Sequence, residues 1–457
     1  MNDQPDEIRM REAGLASLNR AGLAIRLTCS VEPPRILNKE AQTNQISDDT
    51  LSHRTRRVLL AIIFGMALIL RGGVVWQMGA MPVTDALEYH TIAVNQLAGL
   101  GHALEAGQPT RYRAPLYPLF LAGIYAVFGI DPKIALYGQA ILHAALVFPI
   151  FFLAWRIIGS HMAGFVAAVV FALHPSFEIV SIHYTENLTI ILVVLFLWYA
   201  FDMEQTQPGW WKAIAAGLFA GLLGLTHPSV SLLGVAVLLA GISLSAWRQN
   251  WKKYFLVATM SLVIVAPWQV RNQSLPDLGK DREINVVLFS YYPALVGSWW
   301  WPVTDMVELE KERAKAKAFL LSRDDWNVLW DDLGAAIAKH PFRLMELSFS
   351  RVLILWASPP VGSSTLGNIA PWLKWLALVC QYGFVGIGVG TLLVAVRHRR
   401  ELLPFLVVAF YWTLVFGSLH ALRRYGYPLV PVLAIFVSWS IWSMWQRGTL
   451  LRFSGTS

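Results

Sequence analysis

The chain has 457 residues, 56% of them hydrophobic and only 14% charged, with 20 tryptophans and a formal net charge of +8. That balance excludes an ordinary water-soluble domain and fits an all-α polytopic membrane protein. In such a chain basic residues first fix topology, so the positive charge is not read as nucleic-acid binding, and two distant cysteines, Cys29 and Cys380, exclude a disulfide framework.

Residues 1–55 are polar and charged and lack a signal-peptide pattern, so they read as a cytoplasmic tail that includes the weakly amphipathic LASLNRAGLAIRL. Apolar runs near spanning length follow at 58–77, 134–155, 162–182, 187–201, 213–226, 229–246, 254–270, 371–396, 402–419 and 427–446. Two long links separate them: 78–112, and 271–370 with its charged stretches KDRE and VELEKERAKAKAF.

One further run, within RYRAPLYPLFLAGIYAVFG at 111–129, is ambiguous. If 114–130 does not span, then Arg54, Arg56, Arg57, Arg156, Lys212, WRQNWKK, RHRR and Arg447 all fall on one side, which the positive-inside rule makes the cytoplasm. If it does span, the basic loops divide between the two sides. The first arrangement is the better one, and it makes 114–130 an interfacial helix with Pro115 and Pro118 near its N-terminus and Tyr117 and Tyr125 at headgroup level. The organisation that results is a tail over 1–55 and a transmembrane module over 56–270 containing a first outer loop, 78–133. An extracytoplasmic region over 271–370 follows, then C-terminal spans and a short cytoplasmic tail over 371–457. This places the chain in the inner (cytoplasmic) membrane with about ten spans and both termini inside.

That topology gathers Asp85, Glu88, Tyr89, His90, His102, Arg111, Arg113, His174, His183, Glu186, His227, Arg271, His420, Arg423, Arg424 and Tyr425 on the outer face. Ionisable groups converging at the ends of spans define a candidate site. In TDALEYHTIAVNQLAGLG, helical spacing puts Asp85, Glu88 and Tyr89 on one face, suited either to proton abstraction and cation binding or to a solvated helix start. Glu186, in HPSFEIVSIHYTENL, is a second carboxylate of the site, a metal ligand with His183, or a cap of the next helix. Arg271, in APWQVRNQ, suits a phosphate or snorkels, whereas Arg423 and Arg424 sit against the positive-inside trend and call for an anionic partner. Walker, GxGxxG, Cys-His zinc and GxSxG patterns are all lacking.

The ordered set Asp85-x3-Tyr89-x3-Ala93, RAPLYPLFLAGIYAVFG, Gln139, HP with YTENL, GLLGLTHPS, APWQVRN and RRYGYPLVP resembles the integral-membrane glycosyltransferases of the C-type fold. The likeness is in particular to the bacterial branch that groups protein-mannosyltransferase-like proteins with the aminoarabinose transferase of lipid A. The resemblance runs from about residue 80 to 436. It implies a polyprenyl-phosphate sugar donor, membrane lipid around the site and an extracytoplasmic acceptor (a glycolipid, polysaccharide or protein), with inversion at the anomeric carbon. Asp85 is then the general base, with Glu88 and Glu186 as the other acids. Arg111, Arg113, Arg271, Arg423 and Arg424 are candidates for the donor phosphate, Tyr89 and Tyr425 for substrate, and a divalent cation is an open expectation. Two departures, Asp85 and Glu88 in place of adjacent Asp-Glu and His227 in place of an arginine before proline, weaken a protein acceptor and a firm metal assignment. A flippase of a lipid-linked saccharide is the alternative class; it would carry ionisable groups near the bilayer midplane and internal repeats. SYYPALVGSWWWP, within 271–370, is an expected acceptor-binding surface.

Overall fold

The computed structural model describes residues 52–275, 331–357 and 371–454, apart from 80, 112, 206–208, 244–250, 332, 333, 336, 337, 340, 419 and 420. The expectations for the N-terminal tail and for KDRE, VELEKERAKAKAF and SYYPALVGSWWWP lie outside the described residues.

Helix α1 (His53–Met78) starts where the Ser52 hydroxyl accepts the Thr55 N–H. Its residues Leu60, Ile63, Ala67, Arg71 and Val75 recur at helical spacing and are buried, whereas Ile69 (75% exposed) and Trp76 (81%) face outward, as lipid-facing side chains do. The first outer loop carries α2 (Asp85–Leu97), a small hairpin of β1 (Ala103–Glu105) and β2 (Gln108–Pro109), and α3 (Leu116–Phe128). Helix α3 has 13 residues and is therefore about 20 Å long at ~1.5 Å per residue, short of a hydrocarbon core about 30 Å thick. Its length agrees with the non-spanning reading of 114–130. Gly129, at φ +89°, stops it, and Asp131 accepts the Lys133 N–H at 2.8 Å to open the next helix.

The following span is α4 (Pro132–Ala145) continued by α5 (Val147–Ile158). Helix α6 (His161–Leu173) bends by 52° at His174-Pro175 into a 3-10 segment, Pro175–Ser181, where proline removes a donor and ends the regular ladder. Then come α7 (Glu186–Gln205), α8 (Trp210–Thr226), α9 (Leu233–Ser243), α10 (Trp251–Ser274), α11 (Pro341–Ala357), α12 (Pro371–His398), α13 (Leu403–Ser418), a 3-10 segment over Arg423–Leu429, and α14 (Val430–Ser454). Small residues let helices 8, 9 and 10 approach closely: a Cβ on Gly221 would lie 2.6 Å from the Ile264 Cβ, and one on Gly234 2.6 Å from the Ser261 hydroxyl.

Among the described residues, seven helices are long and apolar enough to cross a membrane, or eight if the bent pair counts as one span. Over the described residues the ten expected apolar runs fall on helices, two of which, Trp210–Thr226 and Pro228–Ser243, are among the shorter apolar ones there. Part of the 271–370 region is helical, as expected. Within it α11 docks on the spans, with Arg351 donating to the Ser418 carbonyl (2.9 Å) and the Trp356 indole to the Thr413 hydroxyl (2.9 Å).

Ion pairs among the described residues gather toward the two ends of the helices, while Arg71 is buried within a span. At one end Asp202 pairs with Arg156 and Lys212, Arg56 meets the His161 ring at 3.0 Å, and Arg399 reaches the Ile157 carbonyl. Glu186 lies at the opposite end of α7 from Asp202, about 24 Å away along the axis at ~1.5 Å per residue. Gly221→Leu is expected to destabilise the protein by about 1–3 kcal/mol through overpacking, measured by unfolding in detergent.

Candidate active site

Helix α2 begins at Asp85, directly after Thr84, whose φ of +50° makes it the one non-glycine residue with positive φ among those described. A strained residue beside a candidate catalytic acid is a recurrent feature of functional sites. Asp85 and Glu88 occupy the first turn, where the positive end of the helix dipole favours them, and Tyr89 shares their face.

Two arginines from distant parts of the chain bind these acids. Arg113 donates from Nε to Glu88 Oε2 (2.5 Å) and from a terminal nitrogen to Asp85 Oδ1 (2.8 Å). Arg424 donates from a terminal nitrogen to Asp85 Oδ2 (3.0 Å) and from Nε to Glu186 Oε1 (2.8 Å). The result is an alternating chain, Glu88–Arg113–Asp85–Arg424–Glu186, with Asp85 in the middle. Aromatic faces support both cations: Arg113 lies over Tyr89 (5.1 Å) and Arg424 over Tyr184 (4.1 Å) and Tyr425 (5.5 Å). The Thr185 hydroxyl donates to the second oxygen of Glu186. Exposure assigns different parts to the acids, since the Asp85 side chain is 37% exposed and that of Glu186 only 4%. Asp85 thus keeps exposed surface, whereas the buried Glu186 is bound to Arg424. Burial pushes the Tyr89 phenol up to about 12, so it stays protonated at the site's edge.

Arg271 stands apart from the ion chain. It donates to the carbonyls of Thr110 (2.9 Å) and His102 (3.3 Å) and lies over Trp268 (4.6 Å), which ties the end of α10 to the hairpin of the first loop. Arg111 directly follows the Thr110 that Arg271 grips. The His102 ring makes an edge contact with Trp268, donates from Nε2 to the Arg113 carbonyl (3.0 Å) and accepts the Gln96 amide at Nδ1 (3.1 Å), as a neutral ring does. Arg423 points elsewhere than Arg424 and lines a small pocket with His174, Gln381 and Tyr427. The close approach of Gly426 to the Leu355 carbonyl, 2.1 Å for an added Cβ, braces this segment against α11.

One of the three alternatives for Glu186 was a metal site shared with His183. Instead His183 donates to the Pro132 carbonyl (2.9 Å) while Glu186 binds Arg424. The three carboxylates offer the oxygen donors that suit magnesium or manganese, yet each commits an oxygen to a guanidinium. No group of three His, Cys, Asp or Glu side chains among the described residues is placed to hold a metal ion. The acids as arranged do not fit a divalent cation.

Several supporting residues gave weaker signals. Arg71, a lone arginine in an apolar run, is buried and donates to the Ala172 (3.2 Å) and Phe171 (3.5 Å) carbonyls that the bend in α6 leaves open; its ionisable side chain inside a span was the available sign. Gln139 and Asn187 are neutral and buried; both stand in the motifs that carry the resemblance, but their local pattern assigned them no role.

The chain has a fold similar to that of integral-membrane glycosyltransferases of the C type, with an acid-arginine cluster toward one end of its helices. Residues 112–270 match the family model described as dolichyl-phosphate-mannose-protein mannosyltransferase, so the resemblance read from the motifs is borne out. Among solved structures, the chain is similar to the apo oligosaccharyltransferase of Archaeoglobus fulgidus, with 14% identity over 88% of this chain and 52% of that one at a TM-score of 0.52. It is also similar to the archaeal oligosaccharyltransferase AglB of that organism in complex with an inhibitory peptide and a dolichol-phosphate, with 14% identity over 87% and 51% at 0.50. ArnT from Cupriavidus metallidurans bound to undecaprenyl phosphate aligns at 14% identity over 85% and 78%, with a TM-score of 0.43. No curated protein matches the sequence. The chain spans about half the length of the oligosaccharyltransferases it resembles.

Burial holds the His102 ring down to about 4 from an ordinary 6.5, with the Arg271 charge adding to this effect. The unfolded chain therefore takes up a proton near 6.5 and the folded chain only near 4, so stability falls as pH drops through that window. In His102→Gln the slope of unfolding free energy against pH between those limits is expected to shrink by up to about one proton, and an unchanged slope would contradict the assignment.

Proposed function

We propose that the chain is a glycosyltransferase that moves a sugar from a polyprenyl-phosphate donor to an extracytoplasmic acceptor, with inversion. The observation that carries this reading is the alternating chain of acids and arginines centred on a partly exposed Asp85. A phosphate leaving group needs cations, and an attacking hydroxyl needs a carboxylate within reach; this cluster supplies both in one place. In the reaction, the acceptor oxygen attacks the anomeric carbon from the face opposite the phosphate and forms the new glycosidic bond. The bond between that carbon and the phosphate oxygen breaks, and Asp85 takes the acceptor proton. Polyprenyl phosphate leaves with the bonding electrons, its new charge met by guanidinium groups.

Arg424 and Arg113 are the central phosphate ligands in this scheme. Their five-membered cluster holds one more acid than base, so a phosphate entering it must draw the guanidinia partly away from the carboxylates or find further cations. Arg111 and Arg271, neighbours through the Thr110 contact at the loop's rim, are the candidates to add them. Tyr89 and Tyr425 offer ring surfaces to the sugar beside those arginines. The segregation of Arg56, Arg156, Lys212 and Arg399 to the far end supports an extracytoplasmic site through the positive-inside rule.

With purified protein and a radiolabelled polyprenyl-phosphate sugar, Asp85→Asn is expected to lower transfer about 10²–10⁴-fold, the range for loss of a general base. Full turnover by the variant would remove Asp85 from that role, and donor translocation in vesicles without transfer would favour a carrier instead. In a chain freed of Cys29 and Cys380, Asp131→Cys is expected to react with an impermeant thiol reagent added outside the cell. Labelling only from the cytoplasmic side would reverse the topology.

A further inference from the structure

The two wings of the ion chain belong to separate elements. Asp85, Glu88 and Tyr89 stand on α2, whereas Tyr184 and Glu186 follow the 3-10 segment after the bend in α6. Covalent connection between them runs through some hundred residues, so their relative placement depends on contacts.

Gln139, in α4 and with no exposed surface, bonds the segment that leads into the Glu186 wing directly and reaches the Asp85 wing through Tyr117. Its amide nitrogen donates to the carbonyls of Val180 (2.8 Å) and Ile182 (3.0 Å), and its amide oxygen accepts the Tyr117 hydroxyl (3.0 Å). Tyr117, itself fully buried, meets Tyr89 edge to face at 5.2 Å, and Tyr89 in turn lies beneath Arg113. On the other side Ile182 is held a second time by the Asn187 amide (2.9 Å), which also reaches the Tyr184 carbonyl (3.2 Å) under Arg424. The His143 ring donates to the Asn187 backbone carbonyl (2.8 Å) and fixes the first turn of α7, where Glu186 lies.

We infer that Gln139 is a positioning residue that sets the spacing between the Asp85 wing and the Glu186 wing of the site. A primary amide suits the task because it offers two donors to one wing and an acceptor to the other in a single plane. All its polar capacity toward these partners is buried, so an apolar replacement takes the amide away from the Val180 and Ile182 carbonyls and from the Tyr117 hydroxyl, and leaves Ile182 tied only to Asn187 and Tyr184. Through this bridge a neutral side chain that touches no substrate governs whether Arg424 can hold Asp85 and Glu186 together.

The inference rests on the transferase reading for its kinetic consequence but not for its geometric one. Gln139→Leu is expected to lower kcat about a hundredfold, the scale of a 1 Å misplacement, while the donor KM stays within about twofold. Tyr117→Phe, which removes one hydroxyl, is expected to move kcat in the same direction and carries the test if Gln139→Leu does not fold. The double variant should be little worse than Gln139→Leu, since both substitutions break one bridge. Independently of activity, spin labels at the exposed positions Leu87 and Ile182, in a chain freed of Cys29 and Cys380, report the separation of the wings by electron paramagnetic resonance. A broadened distribution in Gln139→Leu and Tyr117→Phe supports the inference even if no donor is turned over, an outcome that would count against the transferase reading alone. Distributions as narrow as the wild type in both variants would overturn it.

Discussion

The structure turns on one interaction, the placement of the Asp85 carboxylate between two guanidinium groups. Arg113 and Arg424 each take one of its oxygens, and each passes its remaining donors to a further acid, Glu88 or Glu186. Bringing such charges out of water is costly unless every one of them is met, so the cluster requires the elements that carry it to be held firmly. The brace of α11 against Gly426, the grip of Arg271 on the first loop and the Gln139 bridge all follow from that requirement. Their common effect is to hold a first loop, a bent span and a late 3-10 segment around one point.

The same arrangement accounts for the division of labour among like residues. Three carboxylates stand in the cluster, but only Asp85 combines a central position with an open side chain. Two neighbouring arginines, Arg423 and Arg424, go to different surroundings because successive residues of a 3-10 segment point about 120° apart at three residues per turn. A buried carboxylate such as Glu186 is better employed in orienting Arg424 than in taking a proton from an acceptor.

Much of this was legible in the sequence where the signal is local. Helical spacing puts Asp85, Glu88 and Tyr89 on one face, and the structure has them there. Charge parity kept 114–130 out of the spans, and the 13-residue α3 has a matching length. The non-local pairings were not legible: Arg424 meets Asp85 across 339 positions, and no spacing rule reaches that far. The apolar run at 213–226 falls three residues short of its helix, Trp210–Thr226, because hydropathy registers composition and not where a helix starts. Gln139 shows a different limit, for its role comes from the carbonyls of an irregular segment that only the folded chain brings to it.

The acid-arginine cluster gives the proposed transfer a definite address for the phosphate. A structure of the protein with a bound polyprenyl phosphate tests this most directly. The account predicts phosphate oxygens within hydrogen-bonding distance of Arg424 and Arg113, with Asp85 facing the space where the anomeric carbon would stand. A phosphate bound elsewhere, with the chain from Glu88 to Glu186 intact and untouched, would contradict it.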